Sequence, residues 1–275
     1  MSQPLLHVRG LGLDVPDLSP QGRRDKATRT ILQDVSISLK PGQALGVIGE
    51  SGSGKSSLAR ALTLLMPPQR GFIEFEGAPI DADMDAERLR DYRAKLQLVF
   101  QDPMSALNPR RRVGASIVRP LEALNRLNGR KPEQAAIALL ERVGLPAGFA
   151  SRYPHELSGG QRQRVNIARA LALSPKVLIA DEVTSGLDVS AQARIVELLE
   201  SLRREERVSL IFISHDLSLV RSLCDRVLIL RGGNVVESGD CGQVFAQPRS
   251  EYTRKLLDSI PLPEPDAHWL DAVQG

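Results

Sequence analysis

Five short blocks along the chain are almost uniformly apolar. They cover residues 44–48, 96–100, 177–180, 210–213 and 227–230. Continuous apolarity over so few residues is typical of strands buried on both faces, as in a parallel sheet covered by helices, although buried helix fragments look alike. Because helices are usually longer than these blocks, length favours strands.

Apolar residues elsewhere recur at spacings of three and four, the period of an amphipathic helix. One such set is Leu58, Leu62, Leu65 and Met66, and another is Ile195, Leu198, Leu199 and Leu202. Strands that alternate with helices predict an α/β fold with a mostly parallel sheet and flanking helices.

Two further segments alternate apolar and polar residues, which is the period of a half-exposed antiparallel strand. Val35, Ile37 and Leu39 form the first, and Ile73 and Phe75 the second. We therefore expect an antiparallel β subdomain beside the parallel core.

A helical pattern interrupted by Pro and Gly occupies residues 104–155, and it predicts a helical insertion after the strand at 96–100. The pattern is carried by Ala135, Ala136, Leu139, Leu140 and Val143. Towards the end of the chain Pro261, Pro263 and Pro265 break regular structure and predict an extended arm.

Composition limits the classes of protein that remain. The 275 residues are 42% apolar and 25% charged, which excludes a wholly disordered chain. The net charge of +3 does not argue for a nucleic-acid binder. The basic stretch 16–30 is interpreted as a solvated loop, with contact to phosphate or lipid headgroups as the alternative.

Targeting and redox signals point to the cytoplasm. We find no apolar run of about 18 residues and no secretory signal, so neither a membrane span nor export is expected. Cys224 and Cys241 have no metal-ligand spacing and predict two unpaired, unliganded thiols.

A phosphate loop follows the first apolar block. Its residues are Gly49, Glu50, Ser51, Gly52, Ser53, Gly54, Lys55 and Ser56, followed by Ser57. The glycines let backbone N–H groups turn towards phosphates, Lys55 adds a positive charge, and the Ser56 hydroxyl suits Mg²⁺. Its position between a predicted strand and a predicted helix distinguishes it from a purely structural Gly-Ser turn.

The block at 177–180 ends in two carboxylates, Asp181 and Glu182. The carboxyl edge of a parallel sheet is where open α/β folds bind ligands. Asp181 is the predicted magnesium ligand, and Glu182 is the predicted base for an attacking water. Alone this pair is more often a helix cap or turn, but with the phosphate loop it predicts a P-loop nucleotidase.

The pentapeptide Leu-Ser-Gly-Gly-Gln at residues 157–161 resembles the signature of ATP-binding cassette (ABC) proteins. Gln101, the Ser-Gly-Leu-Asp run at 185–188 and His215 also stand where that family places its glutamine loop, its loop after the catalytic carboxylate and its switch histidine. Six elements in one order make the resemblance specific, and it covers residues 5–263.

The resemblance implies two cassettes packed head to tail around ATP and Mg²⁺. Catalytic roles would fall to Lys55, Gln101, Glu182 and His215, with Ser56, Gln101 and Asp181 at the metal. The signature would bind the partner's nucleotide through Ser158, Gly159, Gly160, Gln161 and Asp188. The implied domains are an ATP-binding domain over 1–263, with a helical subdomain at about 104–165, and a tail over 264–275.

Three stretches, 99–110, 153–164 and 187–192, are similar to the ATP-binding subunits of oligopeptide, dipeptide and nickel importers, as is the region 252–263. That similarity implies a second ATP-binding subunit, two permeases, an external solute-binding protein and a peripheral position on the cytoplasmic face of the inner membrane. No nucleic-acid partner is implied. The alternatives are a soluble cassette ATPase uncoupled from a permease and a regulatory nucleotide-binding module without turnover.

Three positions depart from the family pattern. Val183 replaces the usual Pro after the catalytic Glu, Gly186 replaces Ala, and Val15 stands where an aromatic residue stacks on adenine. We expect the first two changes to loosen the turn by restoring backbone freedom.

Overall fold

The computed structural model describes residues 3–17, 19, 25 and 27–258. Its strands form two sheets. They are β1 (Leu6–Pro16), β2 (Thr28–Leu39), β3 (Ala44–Ile48), β4 (Arg70–Phe75), β5 (Ala78–Ile80), β6 (Leu96–Val99), β7 (Val177–Asp181), β8 (Ser209–Ile213), β9 (Arg226–Arg231) and β10 (Asn234–Asp240).

The α-helices lie between and around these strands. They are α1 (Lys55–Leu62), α2 (Ala86–Lys95), α3 (Val113–Ala123), α4 (Pro132–Arg142), α5 (Gly159–Leu171), α6 (Val189–Glu206), α7 (Leu217–Leu223), α8 (Cys241–Ala246) and α9 (Glu251–Asp258). Two 3₁₀ turns, Ala147–Ser151 and Pro154–Glu156, precede α5.

The larger sheet has the order β10-β9-β3-β8-β7-β6, and its five strands from β9 to β6 run parallel. Both faces are buried, as the apolar blocks predict. Along β3, Val47 packs into one core and Ile48 into the other, and Ile211 and Phe212 divide in the same way along β8. The carboxyl ends of β3, β6, β7 and β8 therefore meet at one edge, where the candidate site lies.

The smaller sheet is antiparallel with the order β2-β1-β4-β5. Its buried residues share a core with α1 and one face of the parallel sheet. Val8 of β1, for example, pairs with Ile37 and Ile73, and all three are buried. The predicted antiparallel subdomain is confirmed, and so is the α/β class.

The helical insertion is present as α3, α4, the two 3₁₀ turns and the start of α5. The apolar residues that predicted it face inwards: Ala135, Ala136, Leu139, Leu140 and Val143 are all buried. The domain boundaries at 104–165 and 263 stay predictions, and the proline-rich arm and tail lie outside the described residues.

One helix prediction is too long. The apolar spacing extends to Leu65 and Met66, whereas α1 ends at Leu62. Leu64 adopts a left-handed conformation with φ of 54°, and the N–H groups of Leu65 and Met66 both donate to the Arg60 carbonyl. This closing turn exposes half of Leu65, so spacing alone misplaced the end of the helix.

Both cysteines are buried free thiols, as expected. Burial raises the pKa of Cys241 to about 11 and that of Cys224 further. Within the described ranges, none of the helices combines the length and apolarity needed to cross a bilayer.

Candidate active site

The phosphate loop connects β3 to α1 and packs tightly against its neighbours. A Cβ atom on Gly49 would lie 2.1 Å from the Leu230 carbonyl oxygen, and one on Gly54 would lie 2.8 Å from the Leu32 side chain. Both glycines have positive φ, 151° and 105°. Glycine is therefore required at these two positions by space as well as by backbone conformation.

Helix α1 begins without a side-chain cap, because Gly54 occupies the N-cap position. The first N–H groups of a helix have no partner within the helix, and they carry its positive dipole end. An anion at this position would receive several backbone hydrogen bonds.

Lys55 is the first residue of α1 and is only 5% exposed. Its Nζ donates to the carbonyl oxygens of Gly49 at 2.8 Å and Glu50 at 2.9 Å. Burial lowers the pKa of Lys55, and the nearby carboxylates of Glu182 and Asp181 oppose that shift. An ammonium has three donors, so one more is available for a phosphate oxygen.

Ser56 and Asp181 bring two oxygen atoms together at the sheet edge. The Ser56 hydroxyl donates to Asp181 Oδ1 at 3.1 Å. Burial raises the pKa of Asp181, against the lowering effect of the Ser56 hydrogen bond. A hydroxyl beside a buried carboxylate is a donor set that fits Mg²⁺, a hard cation that takes oxygen ligands.

The second half of the site joins three strand ends. Gln101, just after β6, donates from Nε2 to Glu182 Oε2 at 2.8 Å. His215, just after β8, places Nδ1 3.8 Å from the same oxygen. Glu182 has φ of 48°, an uncommon conformation for a non-glycine residue, and its N–H donates to the Ile213 carbonyl at 2.9 Å. The ladder between β7 and β8 thus holds Glu182 in place.

The signature residues form a separate cluster. Ser158 caps α5: its Oγ accepts from the Gln161 N–H at 3.3 Å, and Gln161 Oε1 accepts from the Ser158 N–H at 2.9 Å. Asp188 caps α6 by accepting from the Ala191 N–H at 2.8 Å. That hydrogen bond and one from the Ser190 hydroxyl lower the pKa of Asp188.

Close packing joins the two caps. A Cβ atom on Gly160 would lie 2.9 Å from Ala191 Cβ, and one on Gly159 would lie 3.1 Å from Leu187. The starts of α5 and α6 therefore lie side by side, and Arg164 and Arg194 line the same surface depression. The signature was predicted to bind the partner's nucleotide; in the structure the Gln161 N–H donates to the Ser158 hydroxyl in the capping box.

The structure brings the predicted residues together in two groups. The first joins the phosphate loop, Ser56, Gln101, Asp181, Glu182 and His215 at the carboxyl edge of the sheet. The second joins the signature and Asp188 on the helices. Ser51 is exposed on the loop, and Ser57 is half-buried in the first turn of α1. Their functional roles stay predictions.

Sequence reasoning missed two contacts to the loop. The Gly233 N–H, in the turn between β9 and β10, donates to the Ser53 carbonyl at 3.0 Å. The Glu50 N–H donates to the Tyr252 hydroxyl of α9 at 3.2 Å. Both partners are about 180 to 200 positions away in the sequence, and no spacing pattern connects such distant residues.

The three residues that depart from the family pattern lie in different local environments. Gly186 has φ of 71°, a conformation that glycine adopts without strain and alanine does not. Val183 is buried in the larger core. Val15 is half-buried at the end of β1, opposite Arg29.

Two protein-family models match parts of the chain. A sequence model described as "ABC transporter" matches residues 32–185. Another, described as "AAA domain, putative AbiEii toxin, Type IV TA system", matches residues 150–221, a smaller part of the chain.

Similar curated proteins are named as import ATP-binding proteins. The chain is 45% identical over 268 residues to the glutathione import ATP-binding protein GsiA of Salmonella paratyphi A, which covers 97% of this chain and 42% of that protein. It is also 45% identical over 243 residues to a Brucella abortus protein named "Putative peptide import ATP-binding protein", covering 87% of this chain and 73% of that one. The chain thus spans about two-fifths of the length of GsiA.

Solved structures share the fold. The dimeric ATP-binding cassette MJ0796 bound to ADP and Pi superposes with a TM-score of 0.74 at 27% identity, covering 86% of this chain and 98% of that one. CbiO1 of Clostridium perfringens, part of the cbiONQ transporter complex, gives 0.73 at 29% identity, covering 94% and 97%.

Fold and site define a P-loop domain of the ATP-binding cassette type. The chain belongs to the ABC transporter family, and its fold is that of the family's ATP-binding domain. The family predicted from the signature and the phosphate loop is confirmed.

Proposed function

We propose that this chain binds ATP with Mg²⁺, hydrolyses it, and thereby powers the import of a solute by an ABC transporter. One observation carries the proposal: Lys55, Ser56, Gln101, Asp181, Glu182 and His215 meet at one sheet edge around an uncapped helix start. The peptide and glutathione import names of the relatives support peptides as the solute class.

In the proposed mechanism the uncapped N–H groups of α1 and the ammonium of Lys55 bind the phosphates. Ser56 and Asp181 would hold Mg²⁺, which when bound supplies positive charge to the phosphate oxygens. Binding a dication also offsets the cost of burying the Asp181 carboxylate.

Glu182 is the proposed base. It accepts the proton of the attacking water at Oε2, the atom that Gln101 contacts and that faces His215. Gln101 orients the carboxylate, and His215 holds the water and the γ-phosphate. Both act from loops that follow parallel strands, so the sheet edge sets their geometry.

The proposed assembly is a pair of cassettes. The signature residues Ser158, Gly159, Gly160 and Gln161, with Asp188, complete the phosphate site of a second ATP-binding subunit, and ATP stabilises the closed pair. Two permeases and an external solute-binding protein complete the importer, which places this chain on the cytoplasmic face of the inner membrane. We assign the ATP-binding domain to 1–263, its helical subdomain to about 104–165 and a tail to 264–275.

Glu182→Gln tests the mechanism. The variant keeps the hydrogen-bonding shape but cannot take a proton, so turnover should fall about 10²- to 10⁴-fold while ATP binding is retained. Steady-state ATPase assays and calorimetric titration with ATP measure the two effects. Glu200→Gln, an exposed carboxylate on α6 away from the site, is the control. Equal turnover in the Glu182 variant and the wild type would remove Glu182 from the mechanism.

Co-purification separates the import proposal from the soluble alternative. An importer subunit is expected to co-purify with two membrane permeases and to stimulate uptake of a di- or oligopeptide in reconstituted vesicles. A chain that hydrolyses ATP yet associates with no permease would be a soluble cassette ATPase instead.

A further inference from the structure

The last described helix reaches the phosphate loop. Tyr252, in the first turn of α9, is 8% exposed, and its hydroxyl accepts a hydrogen bond from the Glu50 N–H at 3.2 Å. The Arg231 guanidinium lies 4.8 Å from the centroid of the Tyr252 ring. An aromatic ring covered by a cation on one side and buried on the other has a fixed orientation.

The start of α9 is itself anchored to the sheet. The Glu237 carboxylate of β10 accepts from the N–H groups of Arg249 at 2.9 Å and Ser250 at 3.0 Å. Thr253, next to Tyr252, is fully buried. The position of the Tyr252 hydroxyl is therefore set by β10, and α9 cannot shift without breaking these contacts.

The hydroxyl acts on one particular peptide unit. The carbonyl oxygen of Gly49 and the N–H of Glu50 belong to the same peptide bond, whose atoms lie in one plane. Lys55 Nζ donates to that oxygen at 2.8 Å, while Tyr252 accepts from that N–H. The plane that holds the Lys55 ammonium is thus fixed at both ends.

No other side chain from beyond the loop and α1 shares this role in the described part of the chain. The Gly233 N–H donates to the Ser53 carbonyl and the Ser56 hydroxyl donates to the Asp181 carboxylate, but neither bond involves the Gly49–Glu50 peptide. Because glycine has no Cβ atom, the backbone at Gly49 has more conformational freedom to lose than a non-glycine residue. Fixing it before the nucleotide arrives reduces the ordering cost of binding.

We propose that Tyr252 is a positioning residue of the phosphate loop, which holds the Gly49–Glu50 peptide plane and through it Lys55 in the orientation that binds a nucleotide triphosphate. The inference rests on the proposed function, since it assigns Tyr252 to the same ATP site. Tyr252 touches no reacting atom, so its effect is on binding and not on the chemical step.

Tyr252→Phe tests the inference, because it removes only the hydroxyl and keeps the ring under Arg231. We expect the Kd and KM for ATP to rise about three- to tenfold, the effect of one net hydrogen bond, with kcat within about twofold of wild type. Hydrogen exchange of the Glu50 amide should accelerate by a similar factor. Thr253→Val, a buried hydroxyl on the same helix that does not touch the loop, should leave the Kd, KM and Glu50 exchange unchanged.

The outcomes are distinguishable. If the wild type binds no ATP, the proposed function fails and this inference with it. If the wild type binds ATP but the Phe variant matches it in Kd and in Glu50 exchange, only the inference fails. Equal weakening by Thr253→Val would assign the effect to helix docking and would also overturn it, as would a fall in kcat at constant KM.

Discussion

Two helix N-termini are proposed to bind phosphates, and their construction is opposite. Helix α1 begins at Gly54 with no side-chain cap, a buried Lys55 and two buried or half-buried carboxylates nearby. Helix α5 begins at the exposed Ser158 in a complete capping box, beside two arginines. We call the uncapped N-terminus of α1 the open start and the capped N-terminus of α5 the closed start.

The difference supports the proposal that the first site binds a phosphate by itself and that the second acts with a partner. At α1 no side chain accepts from the first N–H groups, and Lys55 Nζ has one donor left beyond its bonds to Gly49 and Glu50, so an anion can bind without displacing a side-chain cap. At α5 the Gln161 N–H already has the Ser158 hydroxyl as its acceptor, so an anion must replace that bond. We therefore propose that α5 binds a phosphate only where a second cassette holds that phosphate in place, so that its ordering cost is already met.

Introducing bulk at the closed start should have the largest effect. Ser158→Arg is expected to abolish ATP-induced pairing with the second ATP-binding subunit, because a long side chain fills the surface that meets the partner's nucleotide. Binding of ATP to this chain's own loop should stay near normal. Analytical ultracentrifugation with and without ATP measures the first effect and calorimetry the second, and a variant that still pairs would show that α5 does not meet the partner.

Removing the charge at the open start should weaken binding directly. Lys55→Ala is expected to raise the Kd for ATP about 10- to 100-fold, the loss of a charge-assisted hydrogen bond. Lys176→Ala, an exposed lysine paired with Glu76, is the matched control and should bind like wild type. Calorimetry measures the Kd of the wild type and of the two variants. Similar Kd values for all three would contradict the assignment of Lys55 to the phosphates.

Burial of the Asp181 carboxylate, near the open start, should lower the free energy of unfolding. Asp181→Asn keeps the acceptor for Ser56 but removes a charge that burial disfavours, so we expect the free energy of unfolding to rise while magnesium-dependent turnover is lost. Because the pKa of Asp181 is raised in the folded state, the gain is greatest well above that pKa. It shrinks as pH falls through that raised pKa and is lost below 3.8, where the carboxyl is neutral in both the folded and the unfolded state. Urea titrations at pH 7 and pH 4 measure the gain in the free energy of unfolding of the variant over the wild type. A larger gain at pH 4 than at pH 7 would contradict this explanation.

The cap at the closed start should make the smallest difference. Ser158→Ala is expected to lower the free energy of unfolding by about 1 kcal/mol, the usual contribution of an N-cap. Asp85→Ala, which removes the cap of α2, should cost a similar amount. Of the two variants, only Ser158→Ala should also weaken ATP-induced pairing. If Asp85→Ala weakens pairing as well, the loss of pairing follows from lower stability and not from the signature.

Much of the sheet and most of the first site follow from local pattern. The apolar blocks predicted β3 and the four other parallel strands to within two residues at each end, because strands buried on both faces leave no polar alternation. Predicting the end of α1 failed because the left-handed turn at Leu64 leaves no mark in the apolar spacing. The signature peptide was recognised, but its capping box was missed, although Ser and Gln three apart are its usual residues.

The sequence by itself determined the chemistry: which residue types bind phosphate, which carboxylates stand at a strand end, and in what order they occur. Those facts are local, since each motif needs only a strand, a short loop and a helix. Only the tertiary structure decided that Tyr252 of α9 holds the Gly49–Glu50 peptide, and that Gln101 and His215 converge on one oxygen of Glu182. The reason is that parallel strands adjacent in the sheet are distant in the chain, so their ends meet only once the sheet is assembled.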